Sequence, residues 1–253
     1  MSDLVISFVV PAFNEEALIG SCLAAIRAEI ARTACPAEII VVDNNSTDGT
    51  RSIVSSVPGV IVVDEPQRGL VQARRAGCLA ARGELIANID ADTILPEGWL
   101  RTALEEFSRS PQLVALSGPC IYYDLPRSAR FVAAIFYRIA FATYLLVRFV
   151  LGAGSMLQGG NFIVSRKGLE VAGGFNSDFR FYGEDTDLAR RLSKVGPVKF
   201  SLRLPAYSSG RRFVAEGLIR AGLRYAVNYV WTILFKQPFT LTWSDFRHPR
   251  EVR

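Results

Sequence analysis

The sequence predicts an α/β protein built on an open, mostly parallel sheet with helices on both faces. Three observations carry this. Short runs rich in Val, Ile and Leu alternate with helical patterns through residues 1–100. The runs are apolar throughout rather than alternating in polarity, as strands covered on both faces require. Polar residues stand where the runs end, and an open α/β sheet binds its ligands beyond those strand ends.

In chain order, the first run, residues 4–10, leads into "PAFNEE" and a helical pattern over about 15–31. The second, 39–42, exits through Asp43-Asn44-Asn45-Ser46 into a helix at 48–56. The third, 60–63, precedes a helix at 71–82, and the fourth, 85–89, ends on Asp90-Ala91-Asp92 before Pro96, Glu97 and Trp99 open another helix. A strand at 114–117 follows. Residues 127–151 are then almost continuously apolar, broken by Arg130, Arg138 and Arg148. Regular structure resumes at 162–164 and runs through "RKGLEVAGGF" and "YGEDTDLARRLSKVG" to a strand at 198–202. A last helix spans 211–235, with a polar tail after it.

Composition narrows the chemistry. A chain of 253 residues, half of it hydrophobic, is long enough for one large α/β domain with a well-buried core or for two small domains. The net charge of +5 does not demand nucleic acid and suits an anionic substrate or a membrane surface. Cys22, Cys35, Cys78 and Cys120 form no CxxC pair and His248 is the single histidine, which argues against zinc and for a reduced, cytosolic setting. The start "MSDLVISFVV" has no basic region before its apolar run, so no signal peptide is expected.

Each polar cluster has an ordinary reading beside a chemical one. Asp90 and Asp92 are close enough to repel unless a cation sits beside them, and a hard divalent metal bound to a phosphate-bearing ligand would serve. Such pairs also occur in plain surface turns. Asn14 could cap a helix; Asp43, at a strand exit, is not explained that way. Glu184, Asp185 and Asp187 could be favourable charge at a helix start, with Asp187 and Arg191 as an i,i+4 pair. No GxGxxG or GxxxxGK[ST] follows the first strand, so Rossmann and P-loop nucleotide sites are disfavoured.

Taken together, "VVPAFNEE", "VVDNNSTDGT", "NIDADTILPEGWL" and "GGNFIVSRKGLEVAGGFNSDFRFYGEDTDLARRL" resemble, in order and spacing, the family 2 glycosyltransferases over about residues 4–196. The resemblance implies a GT-A fold, a nucleotide-sugar donor with UDP as the default base, a divalent metal (Mg²⁺ or Mn²⁺) and inversion at the anomeric carbon. It implies that Pro11, Ala12, Asn14, Glu15 and Asp43 hold the nucleoside, that Arg68 and Arg74 approach base or pyrophosphate, and that Asp90 lies near ribose and metal. Asp92 would ligate the metal, and Asp185, beside Glu184, would be the catalytic base. The domain reading is then a catalytic unit over 1–210, its nucleotide-binding half about 1–100 and its acceptor half about 101–210, with the insert at 127–151 and a helix and tail at 211–253. One departure stands out. Many relatives place a histidine after the last core strand; here the stretch reads "LPAYSSGRRF". Arg211 and Arg212 either neutralise the pyrophosphate or are solvated surface charge.

The chemistry of the implied reaction is consistent with these residues. A hydroxyl acceptor is a poor nucleophile, so a carboxylate that takes its proton during attack lowers the barrier, and a metal with arginines stabilises the departing diphosphate. In the insert, Arg127, Arg130, Arg138 and Arg148 fall on one side of a helix near Tyr137 and Tyr144. In the last helix Glu216, Arg220, Arg224 and Asn228 form an i,i+4 ladder opposite Leu218, Ile219, Ala226 and Ile233. Cationic stripes on apolar helices suit a membrane interface. A spanning segment is rejected, because it would put Asp92 and Asp185 on opposite sides of the bilayer. The expectation is a glycosyltransferase peripheral on the inner face of the cell membrane, with helix packing or a homodimer as the other use of these faces. A polyprenyl-phosphate sugar synthase and an inactive membrane-bound nucleotide-sugar-binding protein are the competing functions.

Overall fold

β1 (Ile6–Ala12) is buried along its whole length and pairs in parallel with a strand on each side, which is why its sequence shows no polar alternation. The computed structural model describes residues 4–150, 156–179 and 181–240. His248 and the side chains of Leu146, Val147, Arg148 and Val150 lie outside what is described. After β1 come α1 (Ile19–Thr33), β2 (Ala37–Asp43), α2 (Thr50–Ser55), β3 (Val60–Asp64), α3 (Leu70–Ala80), β4 (Leu85–Ile89), β5 (Thr93–Ile94) and α4 (Trp99–Arg109). The second half holds β6 (Ala115–Ser117), β7 (Cys120–Tyr122), α5 (Arg127–Val150), β8 (Asn161–Ser165), α6 (Arg166–Val171), α7 (Glu184–Leu192), β9 (Val198–Phe200), β10 (Ala206–Ser208), α8 (Arg211–Glu216) and α9 (Leu218–Phe235).

Among the described residues the strands form a seven-stranded sheet in the order β3-β2-β1-β4-β8-β6-β9. It is parallel except where β8 runs antiparallel between β4 and β6. A three-stranded sheet, β5-β10-β7, stands beside it. One apolar layer packs the main sheet against α1 and α4 through Phe8, Leu23, Ile26 and Trp99. The opposite layer, around Val9, Val42, Val71, Phe162 and Leu188, takes α3, α6 and α7. Each such side chain, fully buried, stabilises the fold by about 1.5–3 kcal/mol.

Three local devices aim the strand ends. The β4–β8 register, Ile89 opposite Asn161, brings Gly159 and Gly160 against the residue after β4. The small sheet pairs Ser208 with Thr93 and with Tyr122, which brings the turn before α8 to Asp92. Glu29 of α1, fully buried, accepts from the N–H groups of Gly98 (3.2 Å) and Leu100 (3.0 Å) and so satisfies the free start of α4. Trp99 then donates from Nε1 to Asn161 Oδ1 at 3.0 Å, tying α4 to the edge of β8.

The expected single helix over 211–235 is broken at Gly217, which separates α8 from α9. α1 begins at Ile19 rather than near Glu15, because the residues between hold the loops of the strand exits. Of the polar ladder expected on the last helix, Arg220 is exposed but the other members turn inward. Arg224 faces Glu216 (2.9 Å) and the Tyr182 hydroxyl (3.3 Å), and Asn228 is buried with its amide on Thr240 and the backbone of 239–240. The exposed face is apolar instead: Ile219, Leu223, Val230 and Leu234 are 54–76% exposed. On α5, Tyr137 and Tyr144 point inward, to Gln158 and the Val198 carbonyl, while Phe131 and Ile139 are exposed among Arg127, Arg130 and Arg138. No described helix is long and apolar enough to cross a membrane.

Candidate active site

The strand exits converge on one cleft, and its floor is a buried ionic cluster. Arg74, from α3, is 0% exposed; it donates to Asp90 Oδ1 at 2.9 Å and to Glu184. Gly160 takes the left-handed conformation (φ 78°) directly under Asp90, where a Cβ would meet its Oδ2 at 2.3 Å. A glycine is required there by conformation and by space. Asp185 is held by two backbone N–H groups, Gly159 to Oδ2 at 3.1 Å and Thr186 to Oδ1 at 2.7 Å.

Electrostatics distinguish the two neighbouring carboxyls of α7. Burial raises the pKa of Asp185, opposed by Arg74 and by the N–H donors. Burial pushes Glu184 up to about 7, with Arg74 opposing and the charge of Asp185 reinforcing. Two buried carboxyls this close titrate together, above the usual carboxylate range.

The rim carries the second cluster. Asp92 accepts from Ser208 Oγ at 3.4 Å and from Arg211 Nη2 at 3.1 Å, and the same guanidinium nitrogen donates to Glu15. Arg212 stacks over Phe181 at 4.4 Å and donates to the Tyr182 hydroxyl at 3.1 Å. Residues 211–225 therefore complete the cleft rather than trailing from it: Arg211, Arg212, Phe213 and Tyr225 all line it. An adjoining shallow pocket is floored by Pro11, Ala12 and Phe13, with Arg68 stacked 3.7 Å over the Phe13 ring.

Not every residue singled out from the sequence opens onto these surfaces. Arg74 is a floor residue, sealed from the cleft. Asn14 is not a helix cap; at φ 52° it ties two loops, accepting from Thr47 N at 2.8 Å and donating to Ser46 Oγ at 3.1 Å through its backbone. Asp43 accepts from Ser46 N at 3.1 Å and pairs with Arg51 at 3.4 Å, shaping the loop after β2. Sequence reasoning passed over Asn44, which accepts from Gly69 N and donates to the carbonyls of Glu65 and Gln67, setting the loop that carries Arg68. It also assigned nothing to Gly159, Gly160, Tyr182 and Tyr225. The paired glycines opening "GGNF" were the available signal.

Among the described residues no three His, Cys, Asp or Glu side chains stand together as a metal-binding group. The donor set still fits a hard divalent ion of the Mg²⁺ kind. Such ions take one or two carboxylates and complete their shell with water and substrate phosphates, and Asp90 and Asp92 supply two carboxylates at one strand exit.

An α/β sheet of this topology, with acidic strand exits on a common cleft, defines a GT-A-like architecture. Residues 7–172 match the family described as glycosyl transferase family 2, and the chain belongs to that family. It is similar to an uncharacterized glycosyltransferase of Mycobacterium tuberculosis, 37% identical over 114 residues, 45% of this chain and 49% of that one. A dolichyl-phosphate beta-glucosyltransferase of Trichomonas vaginalis is 39% identical over 101 residues, 36% of this chain and 30% of that one. The matched segments thus span half or less of these relatives. Among solved structures, a mannosyltransferase from Pyrobaculum calidifontis in complex with GDP-Man and Mn²⁺ superposes with a TM-score of 0.64 at 23% identity, covering 88% of this chain and 64% of that one. That likeness is one of fold.

Proposed function

We propose that the protein is an inverting glycosyltransferase that moves a sugar from a nucleotide-sugar donor to a hydroxyl acceptor, with Asp185 as base. The observation that carries this reading is the Asp90–Asp92 pair lining one cleft, with Asp185, a carboxylate of raised pKa, lying just behind that lining and bonded to its Gly159. The flat pocket of Pro11, Ala12 and Phe13 under Arg68 suits a nucleobase, and Asp90, Asp92, Arg211 and Arg212 surround the room for ribose and pyrophosphate. Asp90 and Asp92 would hold Mg²⁺ or Mn²⁺, which supplies positive charge beside the leaving diphosphate. Asp185 takes the acceptor's proton as its oxygen attacks the anomeric carbon from the face opposite the diphosphate. The carbon–oxygen bond to the diphosphate breaks with both electrons, and the nucleoside diphosphate departs. No sugar–enzyme bond forms, so the anomeric configuration inverts. Arginines near that oxygen offset charge that grows in the transition state.

In the test, nucleotide sugars are screened with Mn²⁺ by thermal shift, UDP-sugars first, and transfer is then measured with the donor that binds. Asp185→Asn is expected to keep donor affinity and to slow transfer by roughly 10²–10⁴-fold, the usual worth of a general base. A variant that loses donor binding and keeps turnover per bound donor makes Asp185 structural. A binding-only protein turns over in neither form.

The acceptor side supports a lipid-linked substrate. The outward faces of α5 and α9 are apolar and are flanked by Arg127, Arg130, Arg138, Arg220 and Lys236, the pattern of a helix lying in a membrane interface. A peripheral site on the inner face of the cell membrane follows from this reading. The Trichomonas relative favours a polyprenyl phosphate as a second acceptor class; that acceptor is already an anion and has little need of Asp185. Flotation with anionic vesicles tests the surface: wild type is expected to float and the double variant Leu223→Asp, Val230→Asp to stay behind. A tight homodimer broken by the same changes assigns these faces to an oligomer interface.

A further inference from the structure

The cation that faces Asp92 belongs to the chain itself. Arg211 Nη2 lies 3.1 Å from Asp92 Oδ2 and also donates to Glu15, whose side chain is 5% exposed. One guanidinium thus contacts two carboxylates at the place where a divalent ion would need Asp92. A bare ion and this guanidinium compete for the same oxygen and repel each other at close range. We infer that Arg211 keeps Asp92 closed to free divalent metal, and that the ion enters only with a nucleoside diphosphate, whose phosphates draw Arg211 off Asp92. The inference rests on the nucleotide-sugar reading above and adds an order of binding to it.

Three features of the surroundings make the exchange a movement of one side chain. The backbone before Arg211 is tethered, with Ser209 Oγ and Gly210 N both donating to the Asp124 carboxylate, so α8 keeps its place. The Arg211 side chain is 28% exposed and has solvent to swing through, whereas Arg74, at 0%, has none. A diphosphate is also the better partner for a guanidinium, since it offers paired anionic oxygens that match the planar fork. Arg212 does not take the vacated place on Asp92, because it is stacked on Phe181 and bonded to Tyr182. Asp90 stays locked by Arg74 throughout, so the two aspartates of one short motif play different parts: one is set in advance, the other is uncovered by the ligand.

The experiment is Mn²⁺ binding to the full chain, followed by electron paramagnetic resonance of the free ion, without nucleotide and with UDP or GDP. Wild type is expected to take up Mn²⁺ poorly alone and well with one of the nucleotides. Arg211→Gln is expected to bind Mn²⁺ alone more tightly than wild type, on the order of tenfold or more, because a unit positive charge beside the ion is gone. Arg211→Met, which keeps the packing of the stem, is measured in parallel and should behave like Arg211→Gln, and melting curves establish that both are folded. Arg211→Lys keeps the charge and should stay near wild type. Equal affinity of wild type and both uncharged variants for Mn²⁺ alone, in protein that still takes up Mn²⁺ with nucleotide, overturns the inference and leaves the nucleotide-sugar reading standing. Absence of uptake with either nucleotide in every protein overturns the reading itself, and the inference with it.

Discussion

At the floor of the cleft Arg74 holds Glu184 and Asp90; at its rim Arg211 holds Glu15 and Asp92. The chemistry is the same twice, one guanidinium between two carboxylates. The setting is not. The Arg74 guanidinium is fully buried over the Phe162 ring and Glu184 is buried with it, while Asp90 keeps 37% of its side chain exposed to the cleft. Arg211 keeps 28% of its side chain exposed, so its guanidinium, unlike that of Arg74, has water on one side. Burial of the guanidinium, not of its carboxylate partners, separates the two: Arg74 is fixed in the floor and Arg211 is free to exchange.

The largest expected effect breaks the floor. Arg74→Met strands Glu184 and Asp90 without their cation, and breaking a buried pair from one side costs about 3–5 kcal/mol. Urea denaturation should therefore show a loss of that size. A loss below about 1 kcal/mol, the range of surface ion pairs, would make floor and rim equivalent.

A pH profile sharpens the comparison next. Asp185 and Glu184 both titrate above their ordinary range, Glu184 at about 7, and so close a pair titrates jointly. Transfer should rise with pH along an acid limb above the usual carboxylate range and level off above about 7. Glu184→Gln removes a negative neighbour of Asp185 and should move that limb to lower pH. Stability follows the opposite course. Because Glu184 binds its proton more tightly when folded, its contribution is present below the unfolded value of 4.5 and is lost as pH rises through about 7. The same variant should flatten that decline in a pH series of melting curves.

The smallest effect is at the rim. Arg211→Met is expected to destabilise the fold less than Arg74→Met, because its guanidinium is partly solvated, while changing metal uptake as described above. A destabilisation as large as that of Arg74→Met would show that the rim, too, is architecture.

Much of this molecule is legible in the chain. The exits of β1, β2 and β4 are found by following apolar runs to their first polar residue, and that procedure finds Glu15, Asp43, Asp90 and Asp92. Asp185 follows from the likeness of "YGEDTDLARRL" to a family motif. The two arginine-bearing helices were harder. An arginine in α3 at the right distance from a strand exit could reach the cleft or the core, and only the packing of α3 against Phe162 sends Arg74 inward. For α9 the sequence displays a polar ladder and an apolar face without saying which is covered. Arg224 and Asn228 turn inward because the Tyr182 hydroxyl, Thr240 and the backbone of 239–240 offer them polar partners, Glu216 pairs there with Arg224, and Thr232 packs against Gly183. At Gly183, φ is 80° and a Cβ would meet Thr232 Oγ1 at 2.4 Å, so that approach depends on a glycine.

What the chain by itself determined is local: strand runs set by continuous burial, polar residues at their ends, and the residue types that acid–base and phosphate chemistry require. Which cation meets which carboxylate was decided by the tertiary structure. Arg74 and Glu184 are 110 residues apart and Arg211 and Glu15 are 196 apart. Periodicity acts over a few residues of neighbouring chain, whereas these contacts exist only once the sheet has closed and its edges have brought distant helices to one cleft.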